Sequence, residues 1–536
     1  MIGQEGSSQE GGGWRRRLVR WPLVLLAAVF LLQWAAFMHV GGPSWDAAFY
    51  YSFGRSLAFD QDLKLENDLL LSYETASPDF VAKAMHADKT STGRVATPFA
   101  LGSGLLWLPL LAVVRLFAWL VGAAGGTGYE WYFAGTVASF SALSGLVAYG
   151  LAYRIARRET GRVVAALATV TVAFATPLLY YQFREPLYAH VSSALTITLC
   201  VYVWQRTYDR LPPVREGVLF GVLLGLAALV RWQNVIYALL PLSSVIWVWV
   251  RRPAEERRKE WMRPVAYLAG VAGSSLIVFS IQLVFWRLVF GVWATIPQGE
   301  TFMVWTDPFV RELLLSPFRG LLPWMPVFAP AVLGLLLQMR RRPRVVLPLL
   351  LILLLSTYVN ASSRDWFAGG GYGPRRLTGE LAIFVLGYAW LLQALPTAVR
   401  TAGGIVVGLL LALHQLLLLR FGLVERLGGS VVSMAPRFEW RETDLLTFGR
   451  QLLGHIPDVV RRPVDFFVLP GSPLSVWLQE GVFPLQHVLA LAGAGLFLGL
   501  FLWLASRAPR KGKRIVAPAA ALAAVLLLDI WLLLRG

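Results

Sequence analysis

Long apolar runs separated by short polar segments make up most of this sequence. Most runs are about 20 residues long, the length that crosses a ~30 Å hydrocarbon core as a helix. A closed membrane barrel would instead show alternating strands of about 10 residues. The pattern predicts an all-α, polytopic transmembrane protein with about thirteen spans, at residues 18–40, 131–153, 163–182, 187–205, 216–230, 234–250, 264–286, 320–339, 345–359, 379–396, 401–420, 484–505 and 515–533.

The composition supports a membrane location. Hydrophobic residues make up 57% of the 536 positions and charged residues only 15%, too little polar surface for a soluble chain of this size. The net charge of +18 comes from short arginine clusters between the apolar runs. Positive cytoplasmic loops explain this charge, so membrane lipids and not nucleic acid are the expected partners. The single cysteine, Cys200, permits no internal disulfide.

Two ambiguous segments decide the direction of every later span. Residues 99–121 are apolar but contain Pro109 and Arg115, and residues 216–250 are too long for one crossing. If the first segment lies in the membrane interface and the second is a hairpin turning at residues 231–234, all basic clusters share the cytoplasmic side. These clusters are residues 15–20, 154–162, 206–215, 251–263, 340–344 and 507–514.

This threading predicts a cytoplasmic N-terminal tail at 1–17 and an external loop at 41–98, followed by the interfacial helix 99–121. It also predicts external segments at 291–319 and 360–378, an external loop or cap at 421–483, and a C-terminal transmembrane hairpin at 484–536. Most acidic residues fall in the external pieces, so we expect chemistry on that face. Arginine far outnumbers lysine, and leucine and alanine are abundant, which is typical of a GC-rich bacterial genome. The predicted location is therefore a bacterial inner membrane.

Asp46 is the first acidic residue after the first apolar run. It follows that run by about six residues, so a rigid helix would hold its carboxylate at the membrane boundary. A base at that depth can meet a lipid-borne substrate. The alternative is that Asp46 caps a helix starting at Ala47, a position that aspartate favours.

Three sequence blocks, in this order, carry a family resemblance: residues 97–109 (TPFALGSGLLWLP), 316–326 (SPFRGLLPWMP) and 366–377 (WFAGGGYGPRRL). With the acidic first loop, they resemble the C-type-fold (GT-C) membrane glycosyltransferases, in particular the family 39 group of protein O-mannosyltransferases and aminoarabinose transferases. The resemblance implies a GT-C-like catalytic region at 18–420. It also implies transfer of a sugar from a polyprenyl-phosphate donor to an external glycan, lipid or protein acceptor.

The resemblance also implies residue roles. Asp46 would be the general base; one base suffices because a phosphate leaving group departs without protonation. Glu185 is a second acidic position, which could instead form a salt bridge with Arg184 or Arg231. Arginines that could hold the donor phosphate, or simply contact lipid headgroups, are Arg375, Arg376 and Arg319. Residues expected to contact substrate are Tyr50, Tyr51, Trp366 and His190, although His190 could also be an ordinary buried polar residue.

Asp60 and Asp62 leave the metal question open. An Asp-x-Asp pair can bind a divalent metal, but the surrounding leucines favour an amphipathic segment with its acids in water. Two other functions compete with glycosyl transfer: a multi-pass transporter or lipid flippase, and a non-catalytic envelope scaffold. A transporter would place more charged residues inside its spans than this sequence does.

Overall fold

A computed structural model describes residues 21–43, 45–73, 89–123, 126–421 and 442–507. Within these ranges the chain is helical, and its β-structure is limited to the isolated bridges Lys89–Val95 and Met303–Ser363. The predicted all-α fold is therefore confirmed. The predicted tail 1–17 and the last predicted span, 515–533, lie outside the described residues.

Eight described helices are long and apolar enough to cross a membrane: Gly102–Leu120, Trp131–Thr160, Trp232–Val250, Met262–Phe290, Pro343–Ala361, Arg375–Ala394, Thr397–Phe421 and Leu485–Trp503. Shorter apolar helices are Trp21–Phe37, Arg162–Phe174, Ala189–Trp204 and Phe328–Gln338. The helix Val214–Val230 completes the set that covers the predicted spans in this part of the chain. Two of these segments begin as 3-10 turns, at Trp232–Ala238 and Arg375–Glu380.

Proline divides two predicted spans. The segment 163–182 consists of Arg162–Phe174 and Leu178–Phe183, with Pro177 between them. Likewise 320–339 consists of Leu321–Trp324 and Phe328–Gln338, separated by a turn containing Pro326. Proline lacks the N–H that continues a helix and disfavours helical geometry in the preceding residue, so the chain bends at both positions.

Small residues fix the packing of Val214–Val230 against Met262–Phe290. A Cβ atom added to Gly217, Gly221 or Gly225 would lie 2.5, 2.2 or 2.7 Å from the carbonyl oxygens of Tyr267, Val271 and Ser275, respectively. This close approach is typical of small-xxx-small helix pairs in membranes. Both series ascend together, so the two helices are parallel. The connection 231–261 must therefore run back along the bundle, which agrees with the predicted hairpin at 231–234.

Three helices form the first loop region: Asp46–Phe59, Leu65–Tyr73 and Gly102–Leu120. Gly54 and Gly104 bring the first and last of these together, because an added Cβ on Gly54 would lie 2.7 Å from the Gly104 carbonyl oxygen. Gly102–Leu120 lies in the predicted interfacial segment, yet it also has the length and composition of a span. Its placement relative to the membrane stays a prediction.

Arginine clusters from separate loops meet at one end of the bundle, which we call the basic end. Arg158 donates to the Gln205 carbonyl (3.2 Å), and Arg342 forms an ion pair with Glu159. Arg344 lies 5.1 Å from the centre of the Tyr208 ring. Four of the six predicted clusters, 154–162, 206–215, 251–263 and 340–344, thus have members near this end. The cluster 15–20 and residues 508–514 lie outside the described residues.

Helices of the predicted cap lie at the opposite end: Glu442–Gly454, Ile456–Arg461, Pro463–Phe467 and Pro473–Glu480. The Leu469 amide donates to the Ala36 carbonyl (2.9 Å), at the end of Trp21–Phe37. Arg184 donates to the Pro470 carbonyl (2.9 Å), which ties this region to the segment that carries Glu185.

Candidate active site

Asp46 and Arg375 form the centre of a polar cluster at the end of the bundle opposite the basic end. Asp46 Oδ2 lies 2.6 Å from Arg375 Nη1; the side chain of Asp46 is 25% exposed and that of Arg375 is 10% exposed. Asp46 is the first residue of its helix, preceded by Trp45 at a φ of 52°. The capping alternative is therefore wrong for Asp46: Trp45 takes the N-cap position, and the Asp46 carboxylate contacts Arg375, which is distant in the sequence.

Arg375 is buried and incompletely hydrogen-bonded. It follows Gly373-Pro374 at the start of the 3-10 turn, and its guanidinium lies 5.4 Å from the centre of the Tyr188 ring. Its Nε atom is buried with no hydrogen-bond partner among the described residues. A buried, unsatisfied N–H on a cation is costly, which makes this donor a candidate for binding an anion from a substrate.

Glu185 lies in the turn between Leu178–Phe183 and Ala189–Trp204, near Asp46 and Arg375. Burial raises the pKa of its carboxyl to about 7; the nearby Asp46 charge adds to this, and Arg184 and Arg375 oppose it. The alternative, a salt bridge from Glu185 to Arg184 or Arg231, is not formed among the described residues. Arg184 bonds to backbone carbonyls, and Arg231 Nη1 lies 3.0 Å from His190 Nδ1. Glu185 is thus a carboxyl that can hold a proton near neutral pH.

Tyr50 and His190 belong to the same cluster. Tyr50 lies close enough to Arg231, Asp46 and Arg375 to feel their charges, and burial raises the pKa of its phenol to about 12. The phenol therefore stays protonated and can donate a hydrogen bond. His190 stacks on Tyr188 with ring centres 6.1 Å apart.

The other two predicted phosphate ligands differ in their surroundings. Arg376 is held by Asp365, with Nη2 2.8 Å from Oδ2, and also donates to Ser363 Oγ (2.6 Å). Arg319 is 5% exposed, has a φ of 64°, and forms no ion pair with a described carboxylate. Its one hydrogen bond among the described residues is a long one, from Nη1 to the Phe367 carbonyl oxygen (3.4 Å). Arg319 is therefore more available to an anion than Arg376.

Tyr51 and Trp366 do not join this cluster. The Tyr51 hydroxyl donates to the Gly128 carbonyl (2.6 Å), and its ring packs on Tyr129. Trp366 is 2% exposed and packs against Phe367. Neither ring is open to a sugar in this conformation.

Asp60 and Asp62 make hydrogen bonds within the first loop region. Asp60 accepts from Asn67 (2.8 Å) and pairs with Arg55. Asp62 accepts from Ser56 Oγ and the Lys64 amide, both at 3.0 Å. In the part of the chain that the structure describes, no group of three His, Cys, Asp or Glu side chains could hold a metal ion.

Two site residues escaped the sequence analysis. Tyr188 lies against Arg375, and Asp365 orients Arg376. A signal existed for each, since Tyr188 lies between Glu185 and His190 and Asp365 immediately precedes the third sequence block. Neither could be chosen over the many other tyrosines and acids without knowing the tertiary contacts.

No family model matches this chain, and no curated protein matches it. Among solved structures it is similar to ArnT from Cupriavidus metallidurans bound to undecaprenyl phosphate. The identity is 17% and the TM-score 0.43, over 93% of this chain and 81% of that one. It is also similar to the Archaeoglobus fulgidus oligosaccharyltransferase in complex with zinc and sulfate. There the identity is 16% and the TM-score 0.42, over 85% of this chain and 58% of that one.

Both of these proteins are glycosyltransferases of the C-type fold, the class that the sequence resembles. At such TM-scores the similarity carries no further argument. It assigns neither an activity nor a residue role to this chain.

Proposed function

We propose that this protein is a membrane glycosyltransferase that moves a sugar from a polyprenyl-phosphate donor to an acceptor hydroxyl or amine. The observation that carries the proposal is the Asp46–Arg375 pair at 2.6 Å, with a buried arginine N–H left without a partner. A carboxylate beside an incompletely satisfied guanidinium offers a base and an anion site at one place. Transfer from a sugar phosphate needs both.

The proposed step is a displacement at the anomeric carbon of the donor sugar. The acceptor oxygen or nitrogen forms the new bond, its proton passes to Asp46, and the bond to the phosphate oxygen breaks. Negative charge grows on the leaving phosphate, where Arg375 and Arg319 stabilise it. No general acid is required, because phosphate is a good leaving group without protonation.

The ion pair suggests an order of events. In the absence of donor, the Asp46 carboxylate accepts from Arg375 Nη1 (2.6 Å), so this oxygen is not free to take a proton from an acceptor. A donor phosphate that binds Arg375 competes with Asp46 for the same N–H groups. Donor binding would thereby free the carboxylate to accept the proton of the second substrate.

The side of the membrane on which the site opens is proposed from its distance to the basic end. The helix Ala189–Trp204 has His190 near the site and Gln205 at the basic end. Its sixteen residues span about 24 Å, close to the thickness of the hydrocarbon core. If the basic end is cytoplasmic, as clustered arginine favours, the site opens on the external face.

Asp46→Asn separates the two roles in one experiment. We expect transfer to fall by about 10²–10⁴-fold, because the base is lost. We expect binding of undecaprenyl phosphate, the lipid bound in the ArnT structure, to be unchanged or tighter, because the carboxylate no longer competes for Arg375. Binding is measured on purified protein in nanodiscs, and transfer with radiolabelled lipid-linked sugars.

Arg375→Ala should weaken undecaprenyl phosphate binding by about tenfold or more and also abolish transfer.

The matched control for Asp46→Asn is Asp62→Asn, which keeps an oxygen acceptor for Ser56 and Lys64 and lies in the same loop region as Asp46. Full transfer by folded Asp46→Asn protein would exclude Asp46 as the base. Movement of a lipid from one leaflet of a liposome membrane to the other, without any sugar transfer, would instead identify a flippase.

A further inference from the structure

A second polar pocket lies at the basic end, far from Asp46. Its volume is about 580 Å³. It is lined by residues in or next to three separate connections, namely Tyr208, Trp247, Arg251, Arg340, Arg341 and Arg344. The positive-inside tendency accounts for arginines on this side of a membrane protein, but not for their convergence on one cavity.

Four of the five pocket arginines lack the acidic partners that some other basic residues at this end have. Arg210 pairs with Glu216 (2.7 Å), and Lys259 pairs with Glu255 (2.7 Å). By contrast, Arg251, Arg340, Arg341 and Arg344 form no ion pair with any carboxylate in the described part of the chain. Arg342, also at the pocket, is the one that pairs with Glu159. The pocket therefore holds several guanidinium groups whose charge is not neutralised locally.

Aromatic rings support two of these guanidinium groups. Arg251 lies 3.9 Å from the centre of the Trp247 ring, and Arg344 lies 5.1 Å from that of Tyr208. Stacking holds each side chain while leaving its N–H groups for a ligand. Trp247 Nε1 is itself buried without a hydrogen-bond partner among the described residues. It adds a neutral donor beside the charged ones.

The surroundings favour a membrane-bound ligand. The nineteen-residue helix Pro343–Ala361 begins at the pocket, so its positive dipole end adds to the arginine field. An adjoining cavity of about 650 Å³ shares Arg341 and Arg342 and is lined also by Leu337 and Ala394. Leu337 is 49% exposed, so apolar surface continues outward from the charged groups.

We infer that this pocket binds a phosphate ester, with Arg341 and Arg344 contacting its oxygens, and that the ester is the headgroup of an anionic membrane lipid or a soluble phosphate monoester. Several arginines around one concave site match the bidentate geometry of phosphate. Basic pockets between membrane helices are suited to anionic headgroups. The inference does not depend on the proposed transferase activity.

The test compares two double variants of the full-length protein. Arg341→Gln with Arg344→Gln removes two charges from the pocket, whereas Arg257→Gln with Arg258→Gln removes two from the exposed helix Ala254–Glu260 nearby. Native mass spectrometry counts phosphatidylglycerol bound in titrations, with phosphatidylcholine as the uncharged comparison. A second arm measures glycerol 3-phosphate binding by calorimetry.

We expect the pocket variant to bind phosphatidylglycerol about thirtyfold more weakly, from the loss of two arginines, and the control variant to bind within about twofold of the parent. Selective loss in the lipid arm identifies a headgroup site, and selective loss in the glycerol 3-phosphate arm identifies a soluble ester. Equal weakening in both variants would mean diffuse surface charge and would overturn the inference. Absence of binding by the parent protein in both arms would overturn it as well. Matching thermal midpoints confirm that the variants are folded.

Discussion

Individual residues at the site combine features that a purely structural cluster would not need. Trp45 and Arg319 both adopt positive φ, at 52° and 64°, which costs free energy for residues other than glycine. One lies directly before Asp46, and the other is a buried cation without an ion-pair partner among the described residues. Strained backbone beside unsatisfied charge is typical of functional sites.

The raised pKa of Glu185, about 7, gives a pH prediction. Below that pH the carboxyl is protonated and can donate a hydrogen bond to a substrate, so transfer that uses this donor declines as pH rises through about 7. Glu185→Gln keeps an N–H donor and should remove this descending limb. Transfer rates from about pH 5.5 to about pH 8.5 measure the effect.

A second acid provides the control for that profile. Burial also raises the pKa of Asp68 to about 7, but Asp68 lies on Arg55 in the first loop region (3.1 Å), away from the site. Asp68→Asn should leave the limb in place. If Glu185→Gln retains the limb, Glu185 is not its source.

The free energy of unfolding should also depend on pH through the Glu185 and Asp68 carboxyls. Their folded-state pKa values lie above those of the unfolded chain, about 4, so the native state holds protons that the unfolded state releases. Their stabilising contribution is full below about pH 4 and is lost as pH rises through about 7.

At the level of elements, close glycine contacts determine which helices pair. The series Gly217, Gly221 and Gly225 lies against carbonyl oxygens of Met262–Phe290. Without water to drive helix association inside a bilayer, such close packing supplies much of the attraction. Helix pairing therefore depends on side-chain volume at these few positions.

Gly221→Ala tests this packing. The new Cβ would lie 2.2 Å from the Val271 carbonyl oxygen and 2.1 Å from Ser274 Oγ, so the helices must separate. We expect a loss of about 1–3 kcal/mol in the free energy of unfolding, typical of overpacking. Gly273→Ala is the matched control, because a Cβ there meets nothing within 4 Å. Equal thermal midpoints of the two variants in detergent would argue against this packing role.

At the scale of the whole molecule, charge separates two ends. Basic clusters meet at one end, and the Asp46 cluster lies at the other. This separation agrees with the predicted topology and places the proposed transfer chemistry and the proposed phosphate-ester pocket on opposite sides of the bundle. The two proposed sites would then face opposite leaflets of the membrane.

Cysteine labelling tests this sidedness. In a Cys200→Ala background, Arg258→Cys marks the exposed helix Ala254–Glu260, and Trp293→Cys marks an exposed position after Met262–Phe290. A membrane-impermeant maleimide added outside intact cells should label only the position at 293, because the arginine clusters favour the cytoplasm. Labelling of both positions from one side would contradict the topology.

The sequence by itself determined that the chain is a helical membrane protein and where most of its apolar helices lie, because the length of an apolar run is a property of neighbouring residues. It also indicated Asp46, Glu185 and Arg375 as candidates of one face. Only the tertiary structure decided that Asp46 contacts Arg375, that Arg376 is held by Asp365, and that Tyr51 and Trp366 lie elsewhere. These contacts depend on helix rotation and on turns such as the one at Trp45, and helices apolar on all sides carry little periodicity from which rotation could be predicted.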